Sequence, residues 1–101
     1  MANVRRLLSG DESAWVDFKA NGYPFKLRRE LREAGTDELI LGIISRYVTA
    51  CSIPTIGGGV LTDFPTVETL DEVDEKYVLD IIWKFYEFRG ERVREPLTKN
   101  I

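Results

Sequence analysis

Four groups of residues in this 101-residue chain are of the types from which chemistry is built. Cys51 is a lone thiol. Asp71, Glu72, Asp74 and Glu75 crowd four carboxylates together. Gly57-Gly58-Gly59 is a stretch of bare backbone, and Lys26, Arg28, Arg29 and Arg32 form a short cationic run. A thiol nucleophile needs a base, usually histidine, and the chain has none, which also removes the commonest transition-metal ligand. The carboxylates lack the spacing and the turn glycine of an EF-hand loop, and acids capping a helix N-terminus account for them. The glycines lack the Lys-Ser/Thr of a P-loop and the GxGxxG spacing of a dinucleotide loop, so a tight turn or hinge is expected there. No catalytic residue, cofactor site or metal site emerges, and the chain reads as non-enzymatic.

The cationic run is different, because it asks only for an anionic partner. Flanked by Tyr23 and Phe25, it has the make-up of a segment that contacts phosphates. Glu30 and Glu33 interrupt it, however, and 17 acids against 14 bases leave the chain at −3 overall. Nucleic acid is therefore disfavoured against a protein partner. The charge is also uneven: residues 1–50 carry 8 bases and 7 acids, residues 51–101 carry 6 and 10. Such asymmetry pairs within a fold or between subunits and steers association.

Positioning these groups requires a folded body, and the composition, 44% apolar and 31% charged, is that of a single globular domain. One cysteine excludes an internal disulfide and suits a reducing cytoplasm. No apolar run approaches the ~18 residues of a membrane span, and no signal-peptide core is visible.

Residues 1–12 read as a polar arm. Asn21-Gly22 is a hairpin turn signal, which pairs Ala14–Lys19 with Pro24–Arg28. Arg29–Ala34 reads as a helical turn or two ending at Gly35. Thr36-Asp37-Glu38 opens a helix to Thr49, with Leu39, Ile40, Ile43, Ile44, Tyr47 and Val48 on one side. Cys51–Pro65 reads as loop, broken by Pro54, the glycines and Pro65. A capped turn from Thr66 leads into a second helix, Asp74–Arg89, with Gly90 at its C′ position and an extended tail over residues 91–101.

That second helix is apolar around most of its circumference. Tyr77, Val78, Ile81, Ile82, Phe85 and Phe88 form one stripe, and Leu79, Trp83 and Tyr86 a second at i, i+4, i+7. Lys76, Asp80, Lys84 and Glu87 share the polar face, supported by i, i+4 pairs. A helix greasy on two sides needs two covers. Tryptophan and tyrosine are enriched as interface anchors, so Leu79, Trp83 and Tyr86, with Lys26, Arg28, Arg29 and Arg32, are the candidate residues for binding a partner protein or another copy of the chain.

The order of several short motifs carries a resemblance. Gly22-Tyr23-Pro24-Phe25-Lys26-Leu27-Arg28-Arg29-Glu30 is followed by a helix from Asp37-Glu38 to Arg46-Tyr47-Val48. Leu70-Asp71-Glu72-Val73-Asp74-Glu75 then opens the aromatic helix, and Glu95-Pro96-Leu97-Thr98-Lys99-Asn100 closes the chain. Over Tyr23–Asn100 this resembles small proteins encoded among the tail genes of long-tailed bacteriophages, which look like tail assembly chaperones or minor tail-module proteins. It departs in the loop, where Cys51-Ser52-Ile53-Pro54 and the glycines replace a tryptophan-containing run. The resemblance implies a non-enzymatic role in tail assembly, binding tape-measure or tail-tube subunits, and it transfers no binding residues.

The expected fold is α+β, mostly helical: a β-hairpin packed on two main helices with short helical turns between, over residues 13–90. The expected function is a protein-binding module of a tailed phage, located in the host cytoplasm or carried in the virion. A small DNA-binding regulator and a host-directed phage inhibitor are the alternatives.

Overall fold

A computed structural model describes residues 3–99, with side chains described as far as Glu91. The chain folds as an α+β unit, a four-stranded antiparallel sheet with helices on one face. Strand β1 (Asn3–Leu8) and β2 (Asp11–Lys19) come first, then α1 (Leu27–Glu33) and α2 (Asp37–Ile44). A 3-10 turn, Ser45–Tyr47, leads into β3 (Val48–Pro54) and β4 (Val60–Leu61). A second 3-10 turn, Leu70–Glu72, precedes the long helix α3 (Glu75–Lys99). The strands lie in sequence order, β1-β2-β3-β4.

The hairpin forms at a different turn from the one expected. Val4 pairs with Phe18, Arg6 with Val16 and Leu7 with Trp15, and the chain reverses through Ser9 and Gly10 between the paired Leu8 and Asp11. Both turn residues have positive φ, 53° and 69°, the geometry whose twist matches paired strands. Residues 3–8, expected within the polar arm, are thus an edge strand whose Leu8 is fully buried.

Pro24–Arg28 does not pair with β2. Gly22 turns the chain with φ 95°, the Leu27 amide donates to the Pro24 carbonyl at 3.0 Å, and α1 begins. Leu27 and Leu31, one helical turn apart, are both buried. Their i, i+4 spacing outweighs an alternation only five residues long.

The other helix starts agree with their capping residues. Thr36 caps α2, its Oγ1 accepting from the Leu39 amide at 3.3 Å, and Asp74 accepts from the Lys76 amide at 3.0 Å. Helix α2 ends at Ile44, and the expected continuation to Thr49 is replaced by the 3-10 turn and β3. Leu41 points inward, whereas Leu39 is left outside, 59% exposed.

The loop expected at Cys51–Pro65 contains the β3–β4 hairpin instead. Cys51 and Ile53 alternate into the core, and β3 pairs with β2 from Trp15–Ser52 to Phe18–Val48. At the other end of α3, Gly90 is not a C′ residue, because it lacks the positive φ such a cap adopts. The backbone runs on as helix to Lys99, where an extended tail was expected. Asn100 and Ile101 lie outside the described residues.

The core sits between one sheet face and the helices. Phe18 meets Phe85 edge-on at 5.4 Å and stacks on Phe88 at 5.6 Å, while Tyr23 stacks on Tyr47 at 4.7 Å. Leu8, Val16, Ile44, Ile53 and Ile81 fill in around these rings, all fully buried. The other sheet face carries Arg5, Leu7, Trp15 and Asp17. There Arg5 lies 3.5 Å over the Trp15 ring and grips Asp17 through two hydrogen bonds of 2.8 and 3.1 Å. No helix among the described residues is long and apolar enough to cross a membrane.

Candidate protein-binding surface

Helix α3 presents three kinds of surface. Tyr77, Val78, Ile81, Phe85 and Phe88 enter the core, as the first stripe demands. The polar face does not all stay in water: Asp80 accepts from the Ser9 amide at 2.7 Å, and Arg6 reaches Glu91 at 2.7 Å, so this side clasps the β1–β2 hairpin. Lys76 and Glu87 remain exposed. Among the described residues the second stripe is only partly covered: Leu79 is 51%, Trp83 65% and Tyr86 38% exposed.

The surroundings of that stripe are charged oppositely at its two ends. At the Leu79 end an open groove of about 380 Å³ is bordered by Asp37 and Glu38 from α2, Asp71 from the 3-10 turn and Glu75 from α3. At the Tyr86 end stands Arg89, half-buried. Its pKa is lowered first by burial and then by the nearby Arg28 cation, with Tyr86 acting in the opposite sense. The cationic segment of α1 is thus within electrostatic reach of the far end of the aromatic stripe.

The remaining cations form a shallow pocket of about 190 Å³, where Lys26, Arg28, Arg29 and Arg32 surround Phe25, itself 83% exposed. The Arg28 guanidinium stands 5.8 Å from the Phe25 ring. Ion pairs do form elsewhere, between Arg5 and Asp17, Arg6 and Glu91, and Arg46 and Glu30. Among the described residues none neutralises Lys26, Arg28, Arg29 or Arg32.

The seven residues singled out from the sequence therefore fall on two elements. Leu79, Trp83 and Tyr86 share one face of α3, and the four cations sit on and just before α1, the charge of Arg28 being felt at Arg89. Sequence reasoning read Phe25 only as a flank of the cationic run and missed Arg89. A signal existed for Arg89, three residues beyond Tyr86 and hence its neighbour on the helix.

The other chemical candidates are used structurally. Cys51 faces the core, its thiol pushed up to about 11 by burial and then by Asp63 and Asp17, so it is held protonated and unreactive. The triple glycine closes the β3–β4 turn. Gly58 has φ 94°, its amide donates to the Thr55 carbonyl at 3.1 Å, and the Gly59 amide donates to Thr55 Oγ1 at 2.9 Å. Those two amides are committed within the turn. Of the acids, Asp74 caps α3 and Glu75 lies in its first turn. Among the described residues, no three His, Cys, Asp or Glu side chains converge as a metal-binding set.

Comparison with known proteins returns nothing: no protein-family model, no curated protein and no solved structure matches this chain.

Proposed function

We propose that this chain is a non-enzymatic protein-binding module that grips its partner through Leu79, Trp83 and Tyr86 of α3, assisted by Lys26, Arg28, Arg29 and Arg32. The observation that carries the reading is the Trp83 indole, two-thirds exposed on a rigid helix between an acidic and a basic margin. An exposed aromatic anchor with charges around it is the anatomy of an interface: a few desolvated rings supply the energy, and rim charges select the partner. The biological setting we propose is tail assembly in a tailed bacteriophage, the partner being the tape-measure or a tail-tube subunit. The motif order from Tyr23 to Asn100 supports that setting. The host cytoplasm is then where the protein works, whether or not it is carried into the virion.

The test is co-expression with the tape-measure and tail-tube proteins of the same genome. Co-purification that is lost in Trp83→Ala and weakened in Arg28→Glu/Arg29→Glu is the expected result. Partners that co-purify unaffected by Trp83→Ala would overturn the surface. Capture of a host enzyme in place of a tail protein would move the setting to that of an inhibitor. The un-neutralised cations around Phe25 favour a second reading, a small DNA-binding regulator, in which Arg28, Arg29 and Arg32 contact phosphates. Its signature is affinity for duplex DNA that falls steeply as salt rises.

A further inference from the structure

We infer that the exposed face of α3 pairs with the same face of a second copy of this chain, the two helices antiparallel about a two-fold axis near residue 82. The inference rests on the protein-binding reading above and names one occupant for the surface.

Charge placement selects this occupant. With ~100° per residue, Leu79, Trp83 and Tyr86 form the centre of the face. Glu75 and Arg89 lie along one flank, Lys76 and Glu87 along the other. A two-fold axis perpendicular to both helices sets each flank against itself, reversed in direction. Centred near residue 82, it brings Glu75 opposite the partner's Arg89 and Lys76 within one residue's rise of the partner's Glu87. The four pairs thus made all join opposite charges. In the middle, Leu79 of each copy lies beside the indole of the other.

A parallel pairing also joins opposite flank charges, but it faces the Glu75–Arg89 flank with the Lys76–Glu87 flank. The acidic groove of Asp37, Glu38 and Asp71 borders the Leu79 end, and at the Tyr86 end Arg89 stands within electrostatic reach of Arg28. Parallel copies face this flank with the other's Lys76–Glu87 flank and leave each acidic groove without Arg28 and Arg89 opposite it, whereas antiparallel copies set each acidic groove against the other's Arg28 and Arg89. Antiparallel helix dipoles act in the same sense. An isologous contact of this kind is self-complementary and closed.

Sedimentation equilibrium on the full chain over a concentration series tests the proposal, using Glu75→Lys, Arg89→Glu and the double variant. The expected result is a reversible dimer. Each single swap turns two attractions into repulsions and raises the dissociation constant about tenfold; the double swap restores it. A parallel dimer predicts the reverse, because the double swap then sets like charges together on both flanks. Lys76→Glu with Glu87→Lys repeats the test on the other flank, and circular dichroism checks that each variant is folded. A strictly monomeric wild-type chain, or a dimer whose affinity the double swap fails to restore, overturns the pairing. A monomer that still co-purifies with a tail protein through Trp83 overturns self-pairing alone. A monomer whose co-purification ignores Trp83 removes the protein-binding reading as well.

Discussion

Replacing Phe85 by alanine and, separately, Trp83 by alanine contrasts two large aromatics two residues apart on the same helix. Phe85 is fully buried, its ring 5.4 Å from Phe18 and 6.1 Å from Tyr47. Truncating such a ring removes its transfer energy and leaves a cavity, together about 3–5 kcal/mol, a large share of the ~5–15 kcal/mol that holds such a domain. Trp83 is 65% exposed, so about a third of a side chain that buries at most ~250 Å² is covered. At ~25 cal/mol per Å² that is about 2 kcal/mol as an upper bound. Alanine's better helix propensity returns about 0.5 kcal/mol, leaving a loss of at most about 1.5 kcal/mol. Guanidinium unfolding followed by far-ultraviolet circular dichroism measures both. It should be run on dilute protein, because association through Trp83 would add a concentration-dependent term. Equal losses in the two variants, within about 0.5 kcal/mol, would place Trp83 in the fold and refute its role as an external anchor.

Cys51, its thiol pushed up to about 11, should hold about one thiolate in a thousand at about pH 8. Iodoacetamide should then label it rapidly only after unfolding, and fast labelling of the native chain would place the sulfur at the surface. Asp11 is held below the ordinary carboxylate range by the Ser13 hydroxyl and amide and then by the Tyr77 hydroxyl. Its contribution to stability is present above about pH 4 and is lost as pH falls through the lowered value. Asp11→Asn should therefore flatten the acid limb of a stability-versus-pH curve, and an unchanged limb would show that Asp11 gains nothing from those donors. Gly58→Ala, at φ 94°, should cost about 1–2 kcal/mol. Amide exchange should quicken along β3 and β4 while α3 is spared; exchange quickening uniformly would contradict a local turn effect.

How much of this was legible in the chain varies from element to element. The capping residues Thr36 and Asp74 and the two apolar stripes of α3 could be read directly, since a 3.6-residue period over a dozen positions has few alternatives. Strand β1 could not, because Arg6 occupies an inward position. Its guanidinium stands 5.5 Å from the Phe88 ring and reaches Glu91, so an arginine fills a place where alternation predicts an apolar residue. Strand β3 was hidden by its neighbours. Val48 reads as the last member of a helical stripe, and Pro54 with the glycines suggests a loop, yet only Cys51 and Ile53 need to face inward. Asn21-Gly22 did turn the chain, but into a helix; Ser9-Gly10 was the weaker signal at the real hairpin. On the surface, the exposure of Trp83 depended on which side the sheet took, and the nearness of Arg28 to Arg89 on tertiary packing that spacing does not encode.

The margins of the sheet have a consequence for how molecules of this protein accumulate. Strand β4 is only two residues long, and β1 carries adjacent arginines at its centre. Short borders and borders bearing cations are poor templates for a neighbour's strand. Growth by adding sheet to sheet, the route to fibres, is therefore discouraged on both sides. The proposed pairing through the helical side is spent once two molecules have met, so on that proposal raising the concentration multiplies small finished clusters and does not lengthen a thread.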